Sequence, residues 1–114
     1  MIIALQDKVI KKYMDDNGIT DFIDCSNEGE AVAIAGGHYL ATLERADVYF
    51  SADGFCNALN FITSWIMPEK IEMNIYISVG REEPPHIVMT KILPQLLELL
   101  DYDPKKLKIE LIWK

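Results

Sequence analysis

The sequence has few of the residues that most often mark a catalytic, redox or metal site. Two cysteines and two histidines occur among 114 residues. Cys25 and Cys56 stand 31 positions apart, without a Cys-x-x-Cys pair, and His38 and His86 are 48 apart. This pattern excludes a disulfide framework, a dithiol redox motif and a typical structural zinc site. We expect both cysteines to be free thiols in a reducing compartment.

Basic residues and long apolar runs are also scarce. Eleven Lys and Arg stand against eighteen Asp and Glu, a net charge of -7, which opposes binding to nucleic acid or to anionic membranes. The most apolar segment, 92–100, is interrupted by Pro94, Gln95 and Glu98, whereas a membrane span needs about eighteen consecutive apolar residues. The apolar start of the chain is shorter than the core of a signal peptide. We therefore expect a cytoplasmic protein without a membrane segment.

Catalytic motifs are missing as well. The sequence contains no phosphate-binding loop, no Gly-x-Gly-x-x-Gly and no Gly-x-Ser-x-Gly. Asp21 and Asp24 are candidates for the paired carboxylates of a small hydrolase, but residues three apart on a strand point to opposite faces. We expect a binding protein rather than an enzyme, with neither a cofactor nor a bound metal.

The composition that remains is that of one ordinary globular domain, covering residues 1–114. Half of the residues are hydrophobic and a quarter are charged, which is enough apolar surface to form a core. Periodicity and turn residues divide the chain into elements. The predicted elements are a helix at 2–16, a strand at 19–25, a hairpin of 31–35 and 38–43, a strand at 48–50, a helix at 53–66, a strand at 71–79, a helix at 89–100 and a strand at 107–113.

These elements predict an α+β fold in the order αβββαβαβ. The hairpin rests on Gly36 and Gly37, because adjacent glycines accept the positive φ angles of a tight turn. The strands at 48–50, 71–79 and 107–113 are joined by helices, so they are expected to lie parallel. Together this gives a two-layer sandwich with a mixed sheet of about five or six strands and helices mainly on one face.

Acidic residues concentrate in the first half of the chain. Residues 13–57 carry nine acids and one base, whereas the rest of the chain sums to +1. Such a surface can steer a basic protein toward it, and Tyr13 and Phe22 are candidate apolar anchors. The alternative is a solvated acidic surface with no partner. The six acids without an intervening base are Asp15, Asp16, Asp21, Asp24, Glu28 and Glu30.

In size and charge the chain is similar to stoichiometric inhibitors, such as the immunity proteins and antitoxins that block basic nucleases. The similarity implies a protein-binding module that docks a basic partner through an acidic face. This is the first functional hypothesis from the sequence, and it depends on the acids lying together.

The second hypothesis is a small-molecule or nucleotide binder, which also allows a homodimer. The segment Gly80–His86 joins a strand to the following helix, where open α/β sheets usually bind ligands. Arg81 is a candidate for pairing with an anion and His86 for moving a proton. Gly36, Gly37 and His38 are a further candidate ligand-binding set. The alternative for both sets is a structural loop.

Overall fold

Five strands and four α-helices alternate along the chain in the computed structural model, which describes residues 1–84 and 86–114. Pro85, which belongs to the predicted Gly80–His86 loop, lies outside the described residues. The elements are β1 (Ile2–Ala4), α1 (Lys8–Asp16), β2 (Ile23–Asp24), α2 (Glu28–Thr42), β3 (Asp47–Ser51), α3 (Phe55–Phe61) with a π-helical continuation (Ile62–Ile66), β4 (Met73–Val79), α4 (Ile87–Leu100) and β5 (Leu107–Trp113).

The strands form one parallel sheet in the order β2-β1-β3-β4-β5. The predicted strand number is confirmed, and so is the parallel pairing of β3, β4 and β5. The mixed sheet and the element order αβββαβαβ are wrong. Every connection between successive strands contains a helix, and such connections return the chain to the same edge of the sheet and make its strands parallel.

The first error concerns the start of the chain, which was predicted to be one helix over 2–16. Residues Ile2–Ala4 instead form a strand between β2 and β3. Asp7 then begins α1, because its side chain accepts a hydrogen bond from the amide of Ile10 at 2.8 Å. Three residues are too few to show the alternation that distinguishes a strand from a helix.

The second error concerns Gly36 and Gly37, which lie inside α2 rather than in a hairpin turn. Neither has a positive φ, unlike Gly18 and Gly80. A Cβ atom built on Gly36 would lie 2.6 Å from the ring of Trp65. Gly36 therefore allows close packing of α2 on the π-helical segment, and its role is contact rather than chain reversal.

Helices cover both faces of the sheet, so the predicted two-layer arrangement is wrong. Three of the four described helices do share one face, where α2, α3 and α4 enclose the larger core; in the described part of the chain only α1 packs on the other face, with a smaller cluster around Tyr49. Residues of the larger core include Ile3, Val32, Val48, Phe50, Phe55, Ile62, Ile75, Ile77 and Leu93; the smaller cluster contains Ala4, Ile10, Met14 and Tyr49.

Two local predictions for the helices also change. The sequence places Asp53 as the N-cap of the helix predicted at 53–66, but Asp53 does not cap α3; its carboxylate accepts a hydrogen bond from the Ser51 hydroxyl instead. Pro94 also predicts a kinked or divided helix, but α4 runs without a break from Ile87 to Leu100 with Pro94 inside it, so the helix is not divided. Of the helices in the described residues, none has the length and apolarity needed to cross a bilayer.

The two glycines of α2 provide a test of the helix. Gly37→Ala should raise the free energy of unfolding by about 0.5 to 1 kcal/mol, because alanine favours a helix and, within the described part of the chain, nothing lies within 4 Å of its new Cβ. Gly36→Ala should lower that free energy by about 1 to 3 kcal/mol through the contact with Trp65. Urea unfolding measures both. Destabilisation of similar size by both variants would support the hairpin instead.

Candidate functional site

The candidate site lies where β1, β3 and β4 end, an edge of the sheet that we call the carboxyl edge. The opposite edge, where the strands begin, is the amino edge. From β1 the chain passes through α1 on one face to β2; from β3 it passes through α3 on the other face to β4. The connections therefore diverge between β1 and β3, and such a divergence opens a crevice in parallel sheets.

Asp7 ties three elements together at the carboxyl edge. One carboxylate oxygen caps α1, while the other accepts a 2.7 Å hydrogen bond from the hydroxyl of Ser78, at the end of β4. The guanidinium of Arg81 lies 3.9 Å from that second oxygen. Ser78 is 2% exposed, so its hydrogen bond is shielded from water and anchors the start of α1 to the sheet.

A second carboxylate, Asp53, faces the loop that follows β4. One carboxylate oxygen accepts a hydrogen bond from the hydroxyl of Ser51. The other oxygen lies 3.2 Å from Nδ1 of His86, which has no hydrogen-bond partner among the described residues. Burial alone would raise the pKa of Asp53, but hydrogen bonds from Ser51 and its own backbone, with the charges of His86 and Arg81, lower it overall. Asp53 is therefore ionised at neutral pH.

Arg81 and Glu83 form the outer part of this edge. Nε of Arg81 donates to Glu83 at 2.9 Å, and the pKa of Glu83 falls to about 2 because its own backbone amide and Arg81 both stabilise the carboxylate. The hydroxyl of Thr90, on α4, donates to the carbonyl of Arg81 at 2.8 Å. The loop after β4 is thereby held against the start of α4.

A groove of about 340 Å³ runs down from this edge on the face that α1 covers. α1 and the end of β5 form its walls. Gly80 adjoins it, since a Cβ there would lie 3.3 Å from the backbone nitrogen of Lys114. The lining residues are Lys8, Val9, Lys12, Tyr13, Asp16, Ile112, Trp113 and Lys114.

Tyr13 links the groove to two further rings on the same face. Tyr49 and Tyr76 stack with their centroids 4.5 Å apart, and the ring of Tyr13 lies 6.0 Å from that of Tyr49. Burial raises the pKa of Tyr49 above its usual range, so its phenol stays protonated. The groove therefore borders an aromatic and apolar layer rather than a charged one.

A second cavity, of about 310 Å³, lies at the amino edge. Its lining includes Lys70 and Lys106 together with Asp101 and Asp103, so positive and negative charges balance. Ligands of parallel α/β sheets usually bind at the opposite edge. Of the two cavities, the groove beside α1 is the better candidate site.

The six acids of the predicted docking face do not share one surface. α1 runs antiparallel to the strands, so its last residues, Asp15 and Asp16, lie at the amino edge with Asp21, which precedes β2. Asp24, Glu28 and Glu30 surround the turn from β2 to α2 at the carboxyl edge. Phe22 lies near Asp21, and Tyr13 lines the groove.

Several of these acids already have partners. Asp15 and Asp16 pair with Lys11 and Lys12 one helical turn earlier, at 3.1 and 2.6 Å. Glu30 accepts hydrogen bonds from Ser26, and Glu28 accepts one from Asn57 at 2.9 Å. Exposed pairs of this kind contribute little to stability, but they reduce the charge available to a partner.

The residues of the second hypothesis also separate. Gly80, Arg81 and His86 lie together at the carboxyl edge, as predicted for a loop between a strand and a helix. Gly36, Gly37 and His38 lie in the last half of α2, which leads toward the amino edge. Nε2 of His38 is buried and has no hydrogen-bond partner among residues 1–84 and 86–114. The two sets therefore do not form one site.

The two thiols differ in their surroundings. Burial and the nearby carboxylate of Glu30 raise the pKa of Cys25 to about 11, so it is a neutral thiol at physiological pH. Cys56 is exposed on α3. Both are free, as predicted.

The sequence did not single out Asp7, Ser51, Lys8 or Lys114 as site residues. Asp7 does carry a signal, since an Asp before a helical stripe is a preferred cap, but the predicted helix had already absorbed it. The lysines come from opposite ends of the chain and meet only because β5 is parallel to β4. A local sequence pattern cannot predict that two residues so far apart in the chain lie close together.

In the part of the chain that the structure describes, no group of three or more His, Cys, Asp or Glu side chains is placed to hold a metal ion. No protein-family model matches this sequence, and no curated protein matches it either. The candidate site therefore rests on its own geometry.

The hydrogen bond between Ser78 and Asp7 can be tested by a double-mutant cycle. Ser78→Ala should lower the free energy of unfolding by roughly 1 to 2 kcal/mol, because a buried bond to a carboxylate is lost. In an Asp7→Ala background the same change should cost less, giving a coupling energy of about 1 kcal/mol. Urea unfolding measures the four proteins, with exposed Ser64→Ala as the control. Additive effects would show that the two side chains act independently.

Proposed function

We propose that this protein binds a small anionic molecule with a flat apolar part, of the nucleotide type, in the groove between α1 and β5. The observation that carries the proposal is the lining of the groove: lysines at its rim and apolar side chains within it. This combination matches a ligand that has a phosphate at one end and a ring system at the other.

The size and surface of the groove suit such a ligand. Its volume of about 340 Å³ falls within the roughly 300 to 1,000 Å³ of small-molecule sites. Tyr13, which is half-buried, offers an aromatic ring, and Val9 and Ile112 offer aliphatic contacts. A planar base gains from stacking and from leaving water, whatever its hydrogen-bonding pattern.

The charged residues that line the groove are mainly positive, whereas the whole chain is negative. Three of its lining residues are lysines, in a protein of net charge -7. Lys12 is paired with Asp16, and Nζ of Lys114 lies 4.0 Å from the carboxylate of Glu83, so Lys8 and the more loosely paired Lys114 are the main sources of positive potential. Both stand at the carboxyl edge, so the anionic end of the ligand would lie there and the ring would lie further down α1.

The loop after β4 would supply further contacts at that end. Arg81 is held between Asp7 and Glu83, and a phosphate could replace Glu83 as its partner, because guanidinium groups pair well with phosphate oxygens. Gly80 keeps the path from this loop to Lys114 open. His86 faces Asp53 behind the loop and would position it rather than contact the ligand. Gly36, Gly37 and His38 have no part in this proposal.

A panel of related compounds tests this function. We expect AMP and ATP to raise the melting temperature, since a ligand at about 100 times its Kd adds roughly 2.7 kcal/mol of stability. Adenosine and inorganic phosphate should each bind more weakly, because each offers half of the interaction. Lys8→Gln should weaken nucleotide binding about 10-fold in calorimetric titrations, through loss of a charge-assisted contact.

Lys106→Gln is the matched control, because it removes the same charge from the cavity at the amino edge. Binding that is lost in Lys106→Gln and kept in Lys8→Gln would move the ligand to that cavity. If no nucleotide shifts the melting temperature at millimolar concentration, the protein does not have this function.

Docking of a basic protein is our second proposal, carried by the acids that remain together. Asp24, Glu28 and Glu30 gather around the turn from β2 to α2, and Asp53 follows β3 at the same edge. Their negative potential would raise the association rate of a basic partner and make that rate depend on salt. An inhibitor or immunity-like role would use this smaller surface rather than all six acids.

The triple variant Asp24→Asn/Glu28→Gln/Glu30→Gln tests it. A partner isolated by affinity capture from the native cell should associate at least about 10-fold more slowly with this variant at low salt. The control Asp15→Asn/Asp16→Asn/Asp21→Asn changes the charge equally at the other edge and should have a smaller effect. Equal rates for the wild type and the first variant, measured by stopped flow, would contradict the proposal.

A further inference from the structure

The two edge strands of the sheet differ greatly in length. β2 has two residues, whereas β5 has seven and, within the described residues, pairs on one side only, with β4. A long open edge offers a row of unpaired backbone groups to another strand. β5 contains no proline and no glycine, so every residue of the strand has a backbone amide that can take part in such pairing.

The hydrogen bonds that β5 makes to β4 show which of its backbone amide and carbonyl groups face away from the sheet. The carbonyl of Lys106 and the amide of Lys114 both bond to β4, and within a strand alternate residues direct their backbone groups to the same side. Ile109 and Leu111 therefore direct their amide and carbonyl groups away from β4. Their side chains are only partly buried, and Trp113 is 59% exposed.

We infer that β5 pairs antiparallel with β5 of a second copy, with Ile109 opposite its counterpart on the two-fold axis. This register places Lys108 of each copy opposite Glu110 of the other. In the monomer these two side chains share one face of the strand, with Nζ 3.8 Å from the carboxylate. The dimer would have two such cross-strand ion pairs and a continuous ten-stranded sheet.

Charge selects this register over its neighbours. Shifting the partner strand by two residues places Glu110 opposite Glu110, and shifting it by two more places Lys108 opposite Lys114. Like charges directly opposite each other destabilise a pair of strands, whereas opposite charges stabilise it. Lys108 and Glu110 also occupy positions without direct hydrogen bonds to the partner, where side chains across antiparallel strands come closest. On the other face, Leu107 would lie opposite Leu111.

Charge reversal tests the pairing, with sedimentation equilibrium from micromolar to near-millimolar protein as the measurement. Wild-type protein should be a dimer in reversible exchange. Glu110→Lys places lysines opposite lysines and should raise the dimer Kd roughly 10-fold or more. The double variant Lys108→Glu/Glu110→Lys restores opposite charges and should return the Kd close to that of the wild type.

Lys11→Glu is the control, because it reverses an exposed lysine on α1 and should leave the dimer unchanged. These variants alter exposed side chains, so circular dichroism should show the same fold in each. A monomeric wild type at every concentration, or a double variant as weak as Glu110→Lys, would overturn the inference.

Crosslinking tests the register itself. In a Cys25→Ser/Cys56→Ser background, Ile109→Cys should form an intermolecular disulfide under mild oxidation, because the two Cα atoms would be about 5.5 Å apart. Glu110→Cys should not, since its counterpart lies further along the partner strand. Crosslinking through position 110 in preference to position 109 would contradict the register.

Discussion

The carboxylate of Asp7 is the contact on which the arrangement of the site depends. One oxygen caps α1 by accepting a hydrogen bond from the amide of Ile10, and the other accepts a hydrogen bond from the hydroxyl of Ser78 at the end of β4. A single side chain thus fixes where α1 begins and how it lies against the sheet. In the described residues α1 is the only helix on its face of the sheet, and the groove lies beside it.

The groove lies on the face of the sheet that fewer helices cover. Among the described residues, three helices pack on one face and one packs on the other. A single helix shields the middle strands but leaves the end of β5 beside it uncovered. Tyr13, Tyr49 and Tyr76 fill the part of this face next to α1 with large side chains that tolerate partial exposure. Lys8 and Lys114 then give the groove a charge opposite to that of the whole molecule, which net charge alone would never suggest.

Much of the fold was predictable from local patterns. β4 and β5 alternate apolar and polar residues over seven positions, and α4 has a clear helical stripe, so all three were found, as was β3. β1 was missed because three apolar residues next to a helical stripe look like its first turn. Gly36 and Gly37 were misread because the sequence does not show that Trp65 packs against α2 there.

The site was less predictable, for a physical reason. The loop from Gly80 to His86 was expected from its position between a strand and a helix, and its described residues do lie at the carboxyl edge. The six acids are neighbours in sequence, but α1 carries two of them to the opposite edge. Separation along a chain says little about separation in space once a helix of nine residues lies between two strands.

The groove and the inferred dimer both use β5, the groove through its last residues and the dimer through pairing centred on Ile109. Ligand binding in the groove is tested most directly by following backbone amide signals in nuclear magnetic resonance spectra while AMP is added. Ligand binding in the groove predicts that the largest shifts occur at Lys8, Tyr13, Ile112 and Lys114. Shifts centred on Lys70, Tyr102 and Lys106, or none at millimolar AMP, would contradict it.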